Sequence, residues 1–158
     1  MKKLLFPMIV VVMMLCFSGC GSDNSSTAGD SATEPKVERD LPEGNYSDTG
    51  NGTMYIATPS GTSENGEIPV IYVQDDILSE QISLYAEEFD GSLISYIYVD
   101  GVQISKEQLS DSQITVDFQK AQLTEGKHEV EVVQYTDNDT KKDIVTYKSA
   151  KYEVKPME

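Results

Sequence analysis

The sequence predicts an all-β fold, a single antiparallel β-sandwich of seven or eight short strands over residues 49–156. Three observations support this fold class. This part of the chain is rich in Val, Ile, Tyr and Thr, which favour strands. Apolar and polar residues alternate there with a period of two. Turn residues separate the alternating runs, and no run has the period of a helix longer than one turn, a pattern typical of a sandwich.

The predicted strands follow one another at short intervals. They are residues 53–58, 68–74, 81–86, 93–99, 102–104, 113–118, 127–135 and 144–154. Most of them alternate apolar and polar residues, which predicts one buried and one exposed face. The runs 68–74 and 93–99 are apolar on both sides, which predicts cover on both faces. Asp100-Gly101 separates two runs and predicts a type I′ hairpin, because both central residues of that turn need positive φ.

The segment Leu123-Thr124-Glu125-Gly126-Lys127-His128-Glu129-Val130 is a more specific signal. It resembles the approach to strand F in bacterial immunoglobulin-like (Ig-like) domains. In this resemblance His128 takes the place of the corner tyrosine, and Val130 takes the place of the second core cysteine. The resemblance implies that the fourth predicted strand is strand C, with Tyr96 or Ile94 filling the space of the missing core tryptophan. It implies an Ig-like sandwich with a general recognition role and no particular ligand.

The first twenty residues have the features of a secretion signal. Two lysines precede an apolar run of 14 residues that ends at Phe17. This run is shorter than the ~20 apolar residues that a membrane-spanning helix needs. The following Ser18-Gly19-Cys20 resembles the lipobox of bacterial lipoproteins. The resemblance implies that residues 1–19 are removed as a signal peptide and that Cys20 carries the lipid; the alternative is an ordinary secretory signal with a chance cysteine.

The cysteine count agrees with lipidation. Removal of the signal takes Cys16 away and leaves Cys20 as the one cysteine of the mature chain. A free thiol in an oxidising compartment can pair between molecules, and a lipid on the sulfur removes that hazard. One cysteine also excludes an intradomain disulfide and a cysteine-based zinc site. We therefore expect a cell-membrane lipoprotein, held by its acyl chains on the extracytoplasmic face; inner versus outer membrane stays open for a Gram-negative cell.

Residues 20–48 differ in composition from the rest of the mature chain. They are rich in Ser, Asp, Glu, Gly, Thr and Pro, and they hold few apolar residues, among them Leu41 and Tyr46. Such a segment buries too little apolar surface to offset the entropy of ordering. The sequence therefore predicts a disordered acidic linker between the lipidated Cys20 and the sandwich.

The chain is strongly acidic, with a formal net charge of −15 at pH 7. Loss of the two lysines of the signal makes the mature chain more acidic still. This charge repels nucleic acid and anionic lipid surfaces, so we expect no nucleic-acid partner. A cationic partner, Ca²⁺ and plain solubility remain as explanations.

The loop before the last predicted strand holds closely spaced acidic residues. Asp137 and Asp139 are candidate ligands for Ca²⁺, which takes six to eight oxygen atoms. The loop lacks the spacing of an EF-hand, since Lys142 occupies the position that needs Gly. The alternative is a hydrated turn, which Asn and Asp favour for backbone reasons. No other cofactor is predicted.

His128 is the only histidine of the chain. It is interpreted either as a general base or metal ligand, or as a corner histidine that bonds a nearby backbone group. No Gly-x-Ser-x-Gly motif accompanies it, so a Ser-His-Asp hydrolase would lack its usual nucleophile motif. We therefore expect no catalytic residue and no enzyme, and keep a small envelope hydrolase as the lesser alternative.

Six tyrosines on the predicted strands are the candidates for a binding surface. They are Tyr85, Tyr96, Tyr98, Tyr135, Tyr147 and Tyr152. Some must fill a core without tryptophan, and any that share an outer face form a patch suited to peptide or glycan. The leading hypothesis is a lipid-anchored Ig-like binding module whose partner is an unidentified protein, peptide or glycan. The alternative is a Ca²⁺-dependent adhesion or binding module.

Overall fold

The computed structural model describes residues 38–158, which form nine strands and two short 3₁₀ segments. The strands are β1 (Thr53–Thr58), β2 (Gly61–Thr62), β3 (Val70–Val73), β4 (Ser79–Glu87), β5 (Ser95–Val99), β6 (Val102–Glu107), β7 (Ser112–Gln119), β8 (Gly126–Tyr135) and β9 (Ile144–Pro156). The 3₁₀ segments are Lys120–Leu123 and Thr136–Asn138. The predicted signal peptide, the predicted lipidation site Cys20 and the first part of the predicted linker lie outside the described residues. Within residues 38–158, no helix is long and apolar enough to cross a membrane.

The nine strands form two sheets that pack face to face. One sheet has the order β2-β1-β4-β7, and the other has the order β3-β9-β8-β5-β6. Neighbouring strands are antiparallel, except for β3 and β9, which are parallel. The predicted all-β, Ig-like sandwich is therefore confirmed. The strand beyond the predicted number is β2, which has two residues and carries no periodic signal.

The core lies between the two sheets and is built from alternate residues of each strand. Its largest side chains are Phe118 and Tyr152, whose ring centroids are 5.0 Å apart. The Tyr152 hydroxyl donates to the Gln122 carbonyl oxygen, which satisfies the one polar atom of that buried ring. Tyr96 faces the other side of the sheet, and Ile94 precedes β5, so neither belongs to this core. The expectation that one of them fills the tryptophan space is wrong.

Strand β3 also differs from its prediction. The apolar run 68–74 predicts a strand covered on both faces, whereas β3 is a four-residue strand at the edge of its sheet. Ile71 is buried, but the side chain of Tyr72 is 53% exposed. A short apolar run can form either a central strand or an edge strand, so the sequence of the run alone does not predict its place in the sheet.

The local predictions around the hairpin are confirmed. Asp100 and Gly101 have φ angles of 51° and 78°, both positive as a type I′ turn requires. Val99 pairs with Val102 on either side of this turn. Strand β8 lies between β9 and β5, which is the place of strand F in an Ig-like sandwich.

Residues 38–48, called the strap below, lie on the outer face of the five-stranded sheet. Leu41 is fully buried there in a second apolar cluster, whose other buried members are Tyr98, Val133, Tyr135 and Tyr147. Tyr46 stacks on Tyr147 with ring centroids 5.1 Å apart. The Leu41 amide donates to the Gly101 carbonyl at 2.9 Å. The predicted disordered linker therefore extends too far, because residues 38–48 are docked. Two apolar side chains are enough to order this segment when the sheet offers an aromatic surface for them to cover.

Candidate binding face

The outer face of the four-stranded sheet carries a pair of partly exposed tyrosines. Strand β1 turns Met54 and Ile56 toward the core, which leaves Tyr55 on the other side. Tyr55 lies directly opposite Tyr85 of β4. The two rings are parallel within 7°, and their centroids are 4.5 Å apart. A cross-strand pair of this kind holds both rings in place while each remains partly exposed.

Short polar side chains continue this surface across β4 and β7. Gln113 lies opposite Tyr85, and Thr115 lies opposite Ser83. The amide of Gln81 donates to Asp117 Oδ1 at 2.7 Å. Amide, hydroxyl and carboxylate groups therefore surround the aromatic pair with both donors and acceptors. We call this surface the tyrosine face; its residues are Tyr55, Gln81, Ser83, Tyr85, Gln113, Thr115 and Asp117.

The charge of the tyrosine face is negative. Strands β4 and β7 contain acidic residues, β1 contains none, and all three strands lack Lys and Arg. Partial burial and the nearby carboxylates of Glu64 and Glu87 raise the pKa of Tyr55. The phenol of Tyr55 is therefore a neutral hydrogen-bond donor at physiological pH. This environment suits a neutral or cationic ligand and disfavours an anion.

The structure divides the six candidate tyrosines into three groups. Tyr152 is a core residue. Four others share the outer face of the five-stranded sheet, where the strap covers them; they are Tyr96, Tyr98, Tyr135 and Tyr147. Tyr85 alone lies on an open sheet face. Its partner Tyr55 is not among the six candidates, although the alternation of residues 53–58 places it on the side away from Ile56.

His128 joins strand β8 to the hairpin turn. Its Nδ1 lies 2.7 Å from Asp100 Oδ2, and its Nε2 lies 2.7 Å from the Thr124 carbonyl oxygen. Both neighbours are acceptors, so the protonated imidazole, in which both ring nitrogens donate, satisfies both contacts. The bond to Asp100 raises the pKa of His128, against the opposite effect of burial. The bond to Thr124, four residues upstream, confirms the interpretation as a corner histidine.

Asp100 completes this arrangement from the turn. Its Oδ1 accepts the backbone N–H of Glu129 at 2.9 Å, while its Oδ2 accepts from His128. Burial by itself raises the pKa of this carboxyl, but the hydrogen bonds from His128 and Glu129 outweigh it and lower the pKa. The turn, the imidazole and β8 are thereby held together by charge-assisted bonds.

The His128–Asp100 pair has the His–Asp hydrogen bond of a Ser-His-Asp triad, but it lacks the hydroxyl nucleophile that the histidine of a triad deprotonates. In a Ser-His-Asp triad, the ring nitrogen that faces away from the Asp accepts the proton of a hydroxyl nucleophile. Here that nitrogen, Nε2, faces a carbonyl oxygen, which has no proton to give. His128 is also only 9% exposed. Among the described residues, this pair therefore gives no support to the hydrolase alternative.

The predicted calcium ligands do not converge. Asp137 Oδ2 pairs with Lys142 Nζ at 2.7 Å, and Asp139 Oδ1 accepts the backbone N–H of Lys141. Within residues 38–158, no group of three or more His, Cys, Asp or Glu residues is placed to hold a metal ion. Asp137 and Asn138 have positive φ, which these residue types tolerate in turns. The loop is a polar turn that brings no third acidic ligand to Asp137 and Asp139, and Ca²⁺ binding at these two residues stays a prediction.

Comparisons with known proteins give likenesses among solved structures alone. No protein-family model and no curated protein matches the sequence. Among solved structures, the chain is similar to the fibronectin(III)-like modules of Clostridium thermocellum CbhA, with 19% identity and a TM-score of 0.38. The match covers 59% of this chain and 94% of that chain. The assignment of the fold therefore follows from the strand order and register described above.

Proposed function

We propose that this protein is a non-enzymatic lipoprotein that binds a neutral glycan outside the cytoplasmic membrane. The lipid at Cys20 holds it to the membrane, and the Ig-like sandwich carries the binding site. The observation that supports binding is the tyrosine face, where Tyr55 and Tyr85 stand stacked and partly exposed on an open sheet.

The chemistry around the two rings favours a glycan. A sugar presents apolar C–H groups on one face and hydroxyls at its rim. Aromatic rings cover the apolar part, and Tyr hydroxyls are suited to a boundary between apolar and wet surfaces. The side chains of Ser83, Gln113 and Thr115 lie beside the rings and pair with hydroxyls as donors or acceptors. A sheet face also suits an extended chain better than a compact molecule that needs a pocket.

The charge of the face supports a neutral ligand. Strands β1, β4 and β7 offer no cation to an anionic polymer. The chain as a whole has a net charge of −15, which repels anions at longer range. Phosphate-rich polymers and nucleic acid are therefore disfavoured by the same charge distribution.

The strap determines on which sheet the chain that leads from the lipid anchor joins the sandwich. Residues 38–48 of the predicted linker 21–48 belong to the docked part of the chain. Because the strap lies on the five-stranded sheet, it leaves the tyrosine face of the other sheet uncovered. In the proposed protein, anchoring and binding thus use opposite sheets of the sandwich.

The glycan proposal is tested by affinity electrophoresis of the purified protein in gels that contain soluble neutral polysaccharides. We expect at least one β-glucan or mannan to retard the protein, and we expect the double variant Tyr55→Ala/Tyr85→Ala to migrate freely. Tyr72→Ala is the matched control, since Tyr72 is an exposed tyrosine on the other sheet. Absence of retardation by every neutral polysaccharide, or equal retardation of the double variant, would contradict the proposal. Retardation by a cationic peptide alone would point to a peptide ligand.

The anchoring proposal has a separate test. We expect the full chain to sediment with the membrane fraction and Cys20 to carry a diacylglycerol mass. Cys20→Ser should abolish both the lipid and the processing before residue 20, while Cys16→Ser leaves both unchanged. Membrane association of an unlipidated wild-type chain would refute a lipid anchor.

A further inference from the structure

The two open sheets of the sandwich leave four edge strands among the described residues. They are β2 and β7 in one sheet, and β3 and β6 in the other. An edge strand presents unpaired backbone N–H and C=O groups, which can pair with a strand of another chain. Proteins usually limit this with short strands, prolines, bulges or charged residues at the edge.

Three of the four edges carry such protection. Strand β2 has two residues, and β3 has four and directly follows Pro69. The ladder between β5 and β6 shifts register between Ile97 and Tyr98, and β6 ends with Lys106 and Glu107. The strap protects β6 further, because an Asp40 carboxylate accepts the Gln103 amide.

Strand β7 carries none of these devices except one charged residue. It has eight residues, contains no proline and no lysine, and pairs with β4 without a register shift from Ser112 to Gln119. Asp117 is its only charge. Ile114, Thr115, Val116 and Phe118 favour strands. At the end of the strand the Gln119 amide donates to Gln122 Oε1 at 3.0 Å, and among the bonds described for residues 38–158 none reaches the backbone of residues 113–117 from outside the sheet. Its free edge is therefore open for strand addition.

The charges that flank β7 select a second copy of the same chain as the partner. Asp111 precedes the strand and Lys120 follows it, and both are exposed. In an antiparallel pair with Val116 opposite Val116, each Asp111 approaches the Lys120 of the other copy. In the same register Asp117 lies opposite Thr115, so no two like charges meet. A parallel pair would bring equal charges together at both ends.

We propose that two copies of this protein associate through antiparallel pairing of their β7 strands. The pairing joins two four-stranded sheets into one continuous eight-stranded sheet with a two-fold axis at Val116. The two Tyr55–Tyr85 pairs then lie on the same face, and their β4 strands are separated by about 14 Å, three interstrand spacings. One extended ligand can contact both tyrosine faces at once.

The contact is an edge and not a broad face, so its area is below that of a stable dimer. We therefore expect a weak dimer that forms at high local concentration. The test must therefore keep the protein at the membrane, where the proposed anchor concentrates it.

The experiment places a photoreactive benzoylphenylalanine at Gln113 in the full chain, expressed in its own cells. We expect an adduct of two copies in which mass spectrometry finds the β7 peptide joined to the β7 peptide of a differently tagged copy. The matched control places the same group at Ser83, one strand further in on the same face, and we expect no such adduct there. Equal yields at the two positions, no adduct, or adducts with another protein would overturn the proposal.

A charge exchange makes the test specific for the register. Thr115→Asp places a new carboxylate opposite Asp117 of the other copy in both pairs, and we expect the adduct from Gln113 to fall about tenfold. Adding Asp117→Lys should restore it, since the introduced carboxylate then faces an introduced ammonium group across the axis in both pairs. Ser83→Asp carries the same charge change without facing the second copy and should leave the yield unchanged. Circular dichroism verifies that each variant is folded. Equal yields in the wild type and all three variants would contradict the proposed register.

Discussion

At the scale of single residues, His128 has a structural role that favours its protonated form. Both of its nitrogens face acceptors, one on the turn and one on the chain that leads into β8. A tyrosine at such a corner has one hydroxyl and therefore one donor. The histidine makes two bonds and brings a charge with it, which Asp100 offsets. The cost is that the arrangement depends on pH.

The shifts of the two pKa values set the sign of that dependence. The folded state raises the pKa of His128, so its contribution is complete below the ordinary value of 6.5 and is lost as pH rises through the folded value. The folded state lowers the pKa of Asp100, so its contribution is complete above the ordinary value of 3.8 and is lost as pH falls. The pair therefore stabilises the fold most between these two values.

We expect urea denaturation to show a decline of the unfolding free energy above pH 6.5 that disappears in His128→Gln. Removal of the imidazole leaves Asp100 and the Thr124 carbonyl short of a donor. At pH 6 His128→Ala should therefore destabilise the protein by about 1–3 kcal/mol, discounted for the partly exposed Asp100. A decline of equal size in the Gln variant would show that other groups cause it.

At the scale of elements, the strap extends the folded part of the chain beyond the sandwich. Leu41 is fully buried, and the Tyr46 ring covers Tyr147. Lys148 Nζ is bound by Asp48 at 2.6 Å, which neutralises a lysine that is otherwise buried. The strap thus satisfies apolar and charged groups of the five-stranded sheet at the same time. A fragment that begins at residue 45 would lose Leu41 and expose Tyr98.

Leu41→Ala should release the strap without unfolding the sandwich. The lost side chain is the one apolar residue that the strap buries completely, and such substitutions cost about 2–5 kcal/mol. We expect the amides of Leu41 and Gln103 to exchange with solvent much faster, because both bond within the strap contact. Glu43→Ala, at an exposed strap position, serves as the control. Unchanged exchange in Leu41→Ala would mean that the strap docks by other contacts.

At the scale of the whole molecule, local sequence patterns predicted the fold. The strap and the tyrosine pair depend instead on contacts between residues that are distant in sequence. Asp100-Gly101 predicted its hairpin because the turn needs only those two residues. The corner at His128 followed from spacing within one segment. The strap depends on rings of β5, β8 and β9, so its own composition indicated disorder. Tyr55 and Tyr85 become a pair only when β1 lies beside β4, and alternation cannot tell which strands are neighbours.

The outer faces of the two sheets have different roles. The strap covers the aromatic surface of the five-stranded sheet, where four of the six candidate tyrosines lie. The tyrosine face of the other sheet stays free, together with the unprotected edge of β7. Under the proposed function, the first sheet receives the chain from the membrane, and the second presents the ligand site.

In the proposed function, the tyrosine face is the ligand site. The most direct measurement is a nuclear magnetic resonance titration of the ¹⁵N-labelled protein with the neutral oligosaccharide identified by electrophoresis. We predict saturable shifts of the amides of residues 53–57, 81–85 and 113–117, with the strap and β3 unaffected. Shifts confined to the strap, or to the surroundings of Tyr72, would place the ligand on the other sheet and contradict the proposed site.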